Sequence, residues 1–186
     1  MKFFPILALS ATLLVSSTVN AKEVAGVEVN DTLTIEQQAL TLNGAGVRSK
    51  FFMDLYVGSL YLAEPQQTAE QVIEQPVSVI RLNITSGMIT SDKMIDAIEE
   101  GFDLATKGDT SAIQTEIDQF MALFSDEIKE GDQFTFIMKK GEGVSSLKNN
   151  VTQGDVKGEL FRQALINIWL GDKPAQKSLR KAMLGQ

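Results

Sequence analysis

Leu42 to Leu62 reads LNGAGVRSKFFMDLYVGSLYL. Asn43-Gly44-Ala45-Gly46 is a turn signal, and the residues after it are rich in aromatic and apolar side chains: Phe51, Phe52, Leu55, Tyr56, Val57, Leu60, Tyr61 and Leu62, with no proline. A run of this kind predicts one long strand, apolar on both faces and therefore central in a sheet. Arg48, one of four arginines in the chain, stands at its head. A guanidinium cannot shed its charge, so beside a buried strand it either reaches water along its stem or holds an anionic partner.

Upstream, Lys2 gives a positive start, Phe3 to Val15 is apolar apart from Ser10 and Thr12, and Val19-Asn20-Ala21 puts small residues where a signal peptidase reads. Residues 1–21 therefore read as a secretory signal peptide, too short for a stable membrane span, with 22–186 as a single domain and a periplasmic or secreted product. No cysteine lies near the cut to carry a lipid. The formal charge of −7 becomes −8 once Lys2 is lost, an acidic balance that argues against nucleic acid and against anionic membrane surfaces. With no cysteine and no histidine, the chain lacks the usual zinc ligands, thiol nucleophiles and Ser-His-Asp triads, and no Asp-rich calcium loop is present. No metal and no cofactor is assigned; any chemistry must run on carboxylates, lysine, arginine, tyrosine or hydroxyls.

In chain order, Val24–Ile35 alternates around Asn30-Asp31 and predicts a small hairpin, and 38–42 a short strand feeding the Gly-rich turn. Thr68 is placed to cap a short helix ending before Pro76, and Val77–Ile84 alternates as a strand carrying Arg81. Helical spacing runs through Met94, Ile95, Ile98, Phe102 and Ala105, with Ser91 or Asp92 as the cap, and again through Ile113, Ile117, Phe120, Met121 and Phe124 between Asp109 and Phe124. Gln133–Lys139 and Val144–Leu147 read as strands about the Gly141-Glu142-Gly143 turn, and Thr152–Gly158 as a further hairpin. Glu159–Leu170 is a helix with Leu160, Phe161, Ala164, Leu165 and Ile168 inward, Gly171 ends it, and Ala175–Leu184 is a last basic helix. This order predicts an α+β fold, a mainly antiparallel curved sheet with helices layered on one face and a cleft between the layers.

The GAGVR segment before an apolar strand ending Gly-Ser-Leu-Tyr-Leu resembles the signature of the chalcone isomerase family. A second block supports it: Lys129-Glu130-Gly131-Asp132, Gly154, Gly158, Phe161, Ile168-Trp169-Leu170-Gly171, Pro174, Ser178 and Leu179 resemble the bacterial chalcone isomerase-like branch. The resemblance implies an open-faced β-sandwich in which Arg48 holds an anionic ligand.

In catalytic members a threonine, a tyrosine, an asparagine and a late hydroxyl complete a water network. Alignment places Tyr56, Thr90, Ala97 and Ile168 at those four positions. Alanine and isoleucine cannot donate a hydrogen bond, and each such loss typically costs ~10²–10³ in rate. The set resembles instead the non-catalytic, fatty-acid-binding members, in which an arginine and a tyrosine grip a carboxylate. The link from Arg48 to Tyr56 is four residues shorter than in the plant enzymes, which keeps Tyr61 as an alternative partner. Asp54 reads as solvent-facing rather than as a base.

The resemblance thus implies an exported binding protein for a small amphipathic carboxylate or other anionic molecule such as a fatty acid, with Arg48, Tyr56, Tyr61 and Thr90 as candidate ligand-binding residues and no catalytic residue. The alternative is an isomerase or intramolecular lyase using Arg48 as electrophilic stabiliser, and a structural role in the envelope is a third.

Overall fold

A computed structural model describes residues 21–186, so the signal-peptide reading falls, Ala21 apart, outside the described residues. Nine strands are described: β1 (Ala21–Val24), β2 (Val27–Asn30), β3 (Thr32–Ile35), β4 (Gln38–Lys50), β5 (Met53–Leu62), β6 (Val77–Ile84), β7 (Gln133–Lys139), β8 (Gly143–Lys148) and β9 (Val151–Lys157). Strands β3 to β9 form one antiparallel sheet in sequence order, curled into a half-barrel, and β1 and β2 pair separately as a hairpin.

The Leu42–Leu62 run is not a turn followed by one strand. It is a hairpin, β4 against β5, and the chain reverses at Phe51-Phe52, where φ is 51° and 65°. Residues with a Cβ rarely take such values, and a bulky side chain gives no turn signal, which is why the reversal is invisible to turn chemistry. The supposed turn is strand with an irregularity: Asn43 is an extra residue between the pairs Leu42–Tyr61 and Gly44–Leu60. Its amide is fully used, donating to the carbonyls of Gln66 (2.9 Å) and Met183 (2.8 Å) and accepting from Gln66 N (2.8 Å). Gly44 and Gly46 are there for packing. A Cβ on Gly46 would sit 2.6 Å from the Ala182 Cβ, and one on Gly44 would run into the Ala182 carbonyl. Both belong to the C-terminal segment that packs across β4.

Five α-helices lie among the described residues: α1 (Ala69–Glu74), α2 (Ser91–Ala105), α3 (Gln114–Ala122), α4 (Glu159–Leu170) and α5 (Lys177–Met183). Thr68 caps α1 through Gln71 N, as its position predicts. The cap of α2 is Thr90, whose hydroxyl accepts from Lys93 N, rather than Ser91 or Asp92; the Ser91 hydroxyl donates to the Phe124 carbonyl instead. The predicted Asp109–Phe124 helix is a 3-10 turn at Ser111–Ile113 followed by the shorter α3.

Two hairpins also lie elsewhere than expected. The first turns at Ala25-Gly26 and not at Asn30-Asp31, which leaves β3 free to pair with β4. Thr152–Gly158 is not a hairpin; residues 151–157 are one strand, β9, whose turn from β8 is Asn149-Asn150, both at positive φ.

Alternation sorts the two faces of the sheet. Leu60, Leu62, Ile80, Leu82, Phe134, Phe136 and Met138 pack under the helices with Phe102, Phe120, Phe161 and Trp169. Val57, Tyr61 and Val79 point to the other face, which β1, β2 and β3 cover through Val24, Val27, Val29 and Leu33. Burial of this much apolar surface on both faces is the main stabilising term. Helices on one face and a small β-layer on the other match the predicted class.

Candidate functional site

The register of β4 against β5 places Arg48 directly opposite Tyr56. Directly opposed residues of an antiparallel pair project from the same face, so the short link brings the two side chains together. A bulge adjusts them: the next pair is Ser49 with Asp54, which leaves Leu55 as the extra residue of β5. Such irregularities bend the strand and re-aim side chains. Here both Leu55 and Tyr56 line a cavity of about 400 Å³ between the sheet and the helices.

Gln176, just before α5, fixes the arginine. Its Oε1 accepts from Arg48 Nη1 (3.0 Å) and from Ser49 N (3.0 Å), and its Nε2 donates to the Val47 carbonyl (3.1 Å) and to Ser178 Oγ (2.6 Å). Arg48 Nη1 also donates to the Ser49 carbonyl (3.3 Å). Both bonds of the guanidinium leave from Nη1. Among the described residues no carboxylate forms an ion pair with Arg48, and Nη2 and Nε make no close hydrogen bond, although the guanidinium stands near enough to the Tyr56 oxygen to act on it as a weak donor. Those two nitrogens present the planar fork that matches a carboxylate or a phosphate.

The Tyr56 hydroxyl is buried and accepts a hydrogen bond from Trp169 Nε1 at 3.0 Å. Burial pushes its phenol above the ordinary value, while the Trp169 hydrogen bond and the charge and donor of Arg48 pull the other way without prevailing. It therefore stays protonated at physiological pH. With its oxygen engaged by Trp169, its proton has no acceptor among the described residues and is left for a ligand.

Walls and rim differ in chemistry. Leu55, Leu82, Ile89, Met94, Ala97, Ile98, Gly101, Leu104, Ile168, Trp169 and Ala175 make the walls apolar, while Lys50, Lys93, Asp96 and Glu100 stand at the exposed rim with Phe51, Met53 and Met88. The α2 wall is held close because Gly101 abuts Ile168 of α4, where an added Cβ would lie 2.8 Å from Ile168 Cγ2. The positions that a catalytic water network would need, Ala97 and Ile168, are wall residues without a donor.

Of the four candidate residues, the structure brings Arg48 and Tyr56 together and separates the other two from the cleft. Tyr61 lies on the opposite face, because five residues from Tyr56 reverses the side-chain direction along a strand; its ring packs with Val57 and Val79, the Arg81 guanidinium 5.9 Å from its centre. Thr90 spends its hydroxyl on the α2 cap and is exposed. Arg81, which also donates to Thr135 Oγ1 (3.1 Å), is a partly covered residue of that other face, and Asp54 is exposed on Ser49 Oγ (2.8 Å), both as expected.

Sequence reasoning missed Gln176 and Trp169 as site residues. Gln176 has no readable signal without the fold, since it follows a proline loop, and Trp169 enters the sequence reading only within the Ile168-Trp169-Leu170-Gly171 block, with no role assigned. A further arginine, Arg162, is fully buried on α4 and paired with Glu159 (2.6 Å), away from the cleft.

A curled antiparallel sheet under helices, with an arginine and a phenol beside an apolar cavity, defines an α+β class with a cavity between its layers. A family model described as chalcone isomerase-like matches residues 21–185, and the chain belongs to that family. Among solved structures it is similar in fold to the crystal structure of an Arabidopsis thaliana fatty-acid binding protein, with a TM-score of 0.65 and 16% sequence identity over 89% of this chain and 95% of that one. No curated protein matches the sequence.

Proposed function

We propose that this protein binds a small amphipathic carboxylate, of which a fatty acid is the type, and that it does so without turning it over. One observation carries the reading: Arg48 lines an apolar cavity beside Tyr56 and has no ion-pair partner among the described residues. A carboxylate seated on Nη2 and Nε would take the Tyr56 proton on its other side. Its chain would lie along Leu82, Met94, Ile98 and Ile168. Each buried methylene contributes ~0.8 kcal/mol, so the chain supplies affinity and the head group orientation. About 400 Å³ falls within the range of small-molecule sites. The similarity to a fatty-acid binding protein supports this choice of ligand.

Isomerase turnover is disfavoured because Ala97 and Ile168 cannot order a water at the wall. Export belongs to the same reading and rests on the N-terminal sequence, with the mature chain beginning at Lys22.

Native mass spectrometry of the full-length gene product, expressed with its N-terminal segment, tests both. It should show a chain starting at Lys22 with a co-purifying species in the fatty-acid mass range. A ligand-free protein that also fails to take up added fatty acid would overturn the binding reading, and a chain retaining Met1 would overturn export.

A further inference from the structure

The turn between β4 and β5 carries two phenylalanines in the open. Phe51 is 78% exposed and Phe52 fully so, with Met53 at 39% and Met88 at 43% beside them. These are four of the six large hydrophobic side chains exposed among the described residues. Both phenylalanines hold positive φ, a conformation that Asn and Gly adopt without penalty and bulky residues do not. The chain thus keeps aromatic groups where turn geometry favours small ones and where no core rewards them. Phe51, Met53 and Met88 also line the mouth of the cleft, and Lys50, with its ammonium 5.8 Å from the Phe51 ring centre, stands at the same rim.

We infer that this tip is a wedge that enters the surface of a phospholipid bilayer and sets the mouth of the cleft against the lipid from which its ligand is drawn. The inference rests on the reading of the cleft as a carboxylate site and adds where that site is loaded. Two features favour lipid over a protein partner. Two phenylalanines bury ~150–250 Å² each, so even with the partly exposed methionines the patch falls short of the ~800 Å² that each partner contributes to a standard protein interface. A few aromatic groups flanked by a lysine that can reach back to the headgroups suit an interface that is apolar below and polar above. The net charge of −8 after removal of residues 1–21 makes apolar insertion, and not charge attraction, the driving term.

Phe52→Gly tests this. Residue 52 is outside the cleft lining, and glycine fits its φ of 65°, so the hairpin is retained. Wild type should co-sediment with phosphatidylcholine vesicles about equally at low and high salt, and Phe52→Gly should bind them about tenfold more weakly. Calorimetric affinity for decanoate in vesicle-free buffer should be the same for both proteins. Wild type that stays in the supernatant, vesicle binding that high salt abolishes, equal sedimentation of the two proteins, or tips occupied in a stable dimer would each overturn the wedge. Failure of both proteins to bind decanoate would instead overturn the carboxylate reading, and the vesicle measurement would still decide the wedge on its own.

Discussion

Arg48 and Tyr56 stand opposite each other across the β4–β5 hairpin, and each is held by a neighbour. Gln176 takes one end of the guanidinium and leaves the Nη2/Nε edge open; Trp169 takes the phenol oxygen and leaves its proton. Tyr56→Phe therefore has two effects. It should cost ~0.5–1.5 kcal/mol of ligand affinity through one lost hydrogen bond. It also strands the buried Trp169 N–H, which should lower stability by ~1–3 kcal/mol. Calorimetric titration reads the first and urea denaturation the second; a change in neither would remove Tyr56 from the site. Arg48 is legible in the sequence because a charge beside an apolar run demands an explanation. The choice between Tyr56 and Tyr61 is not, since only the register of the hairpin shows which side of β5 each tyrosine occupies.

Elements with strict periodicity are readable to their ends. Val77–Ile84, Gln133–Lys139 and Glu159–Leu170 keep the boundaries that alternation or helical spacing gives them, because one face of each is more deeply buried than the other, although Leu160, expected inward, is exposed in the first turn of α4. Glycines mislead where they serve packing: the Gly44–Gly46 segment reads as a turn but is strand thinned to admit α5. Asn149-Asn150, by contrast, carries a turn signal that the sequence reading passed over, since asparagine tolerates the left-handed region. Gly46→Val should drive α5 off β4 and destabilise by ~1–3 kcal/mol in thermal or urea unfolding, as overpacking does; a neutral effect would mean that α5 is not seated as described. The α4 ion pair adds a pH dependence. Arg162 and further hydrogen bonds from Gly141 N and Gln163 hold Glu159 at about 2, below its ordinary 4.5. A lowered folded-state value contributes stability that is complete above the ordinary value and is lost as pH falls through about 4.5 towards about 2. Urea midpoints measured across that window should fall more steeply for wild type than for Glu159→Gln, and parallel curves would contradict the pair.

At the scale of the molecule, the seven strands pair in sequence order. Hairpins join β3–β4, β4–β5, β7–β8 and β8–β9, whereas helical connections separate β5 from β6 and β6 from β7, so the hairpin pairings are legible in the sequence and the two helical crossings are not. How the two sides are covered is not legible either, because the helices and the β1–β2 hairpin both pack apolar residues and only three-dimensional packing assigns them sides. Phe161 ties α4 to α2 and α3, its ring centre 5.4 Å from Phe102 and 5.5 Å from Phe120, and Phe120 in turn meets Phe136 of β7 at 5.4 Å. Phe161→Ala should cost ~3–5 kcal/mol by denaturant unfolding, as deletion of a buried ring does; a loss below ~1 kcal/mol would mean that the layer is not a single core. The cleft exists because that core holds the helices over β5, and its proposed use depends on one charge, that of Arg48. The direct measurement is calorimetric titration of wild type and Arg48→Ala with dodecanoate and with dodecanol, which share a chain and differ in charge. A charged hydrogen bond worth ~1.5–3 kcal/mol predicts that wild type prefers the acid by about 10- to 150-fold, and that Arg48→Ala loses the preference while keeping its affinity for the alcohol. The same preference for the acid in both proteins would contradict the account.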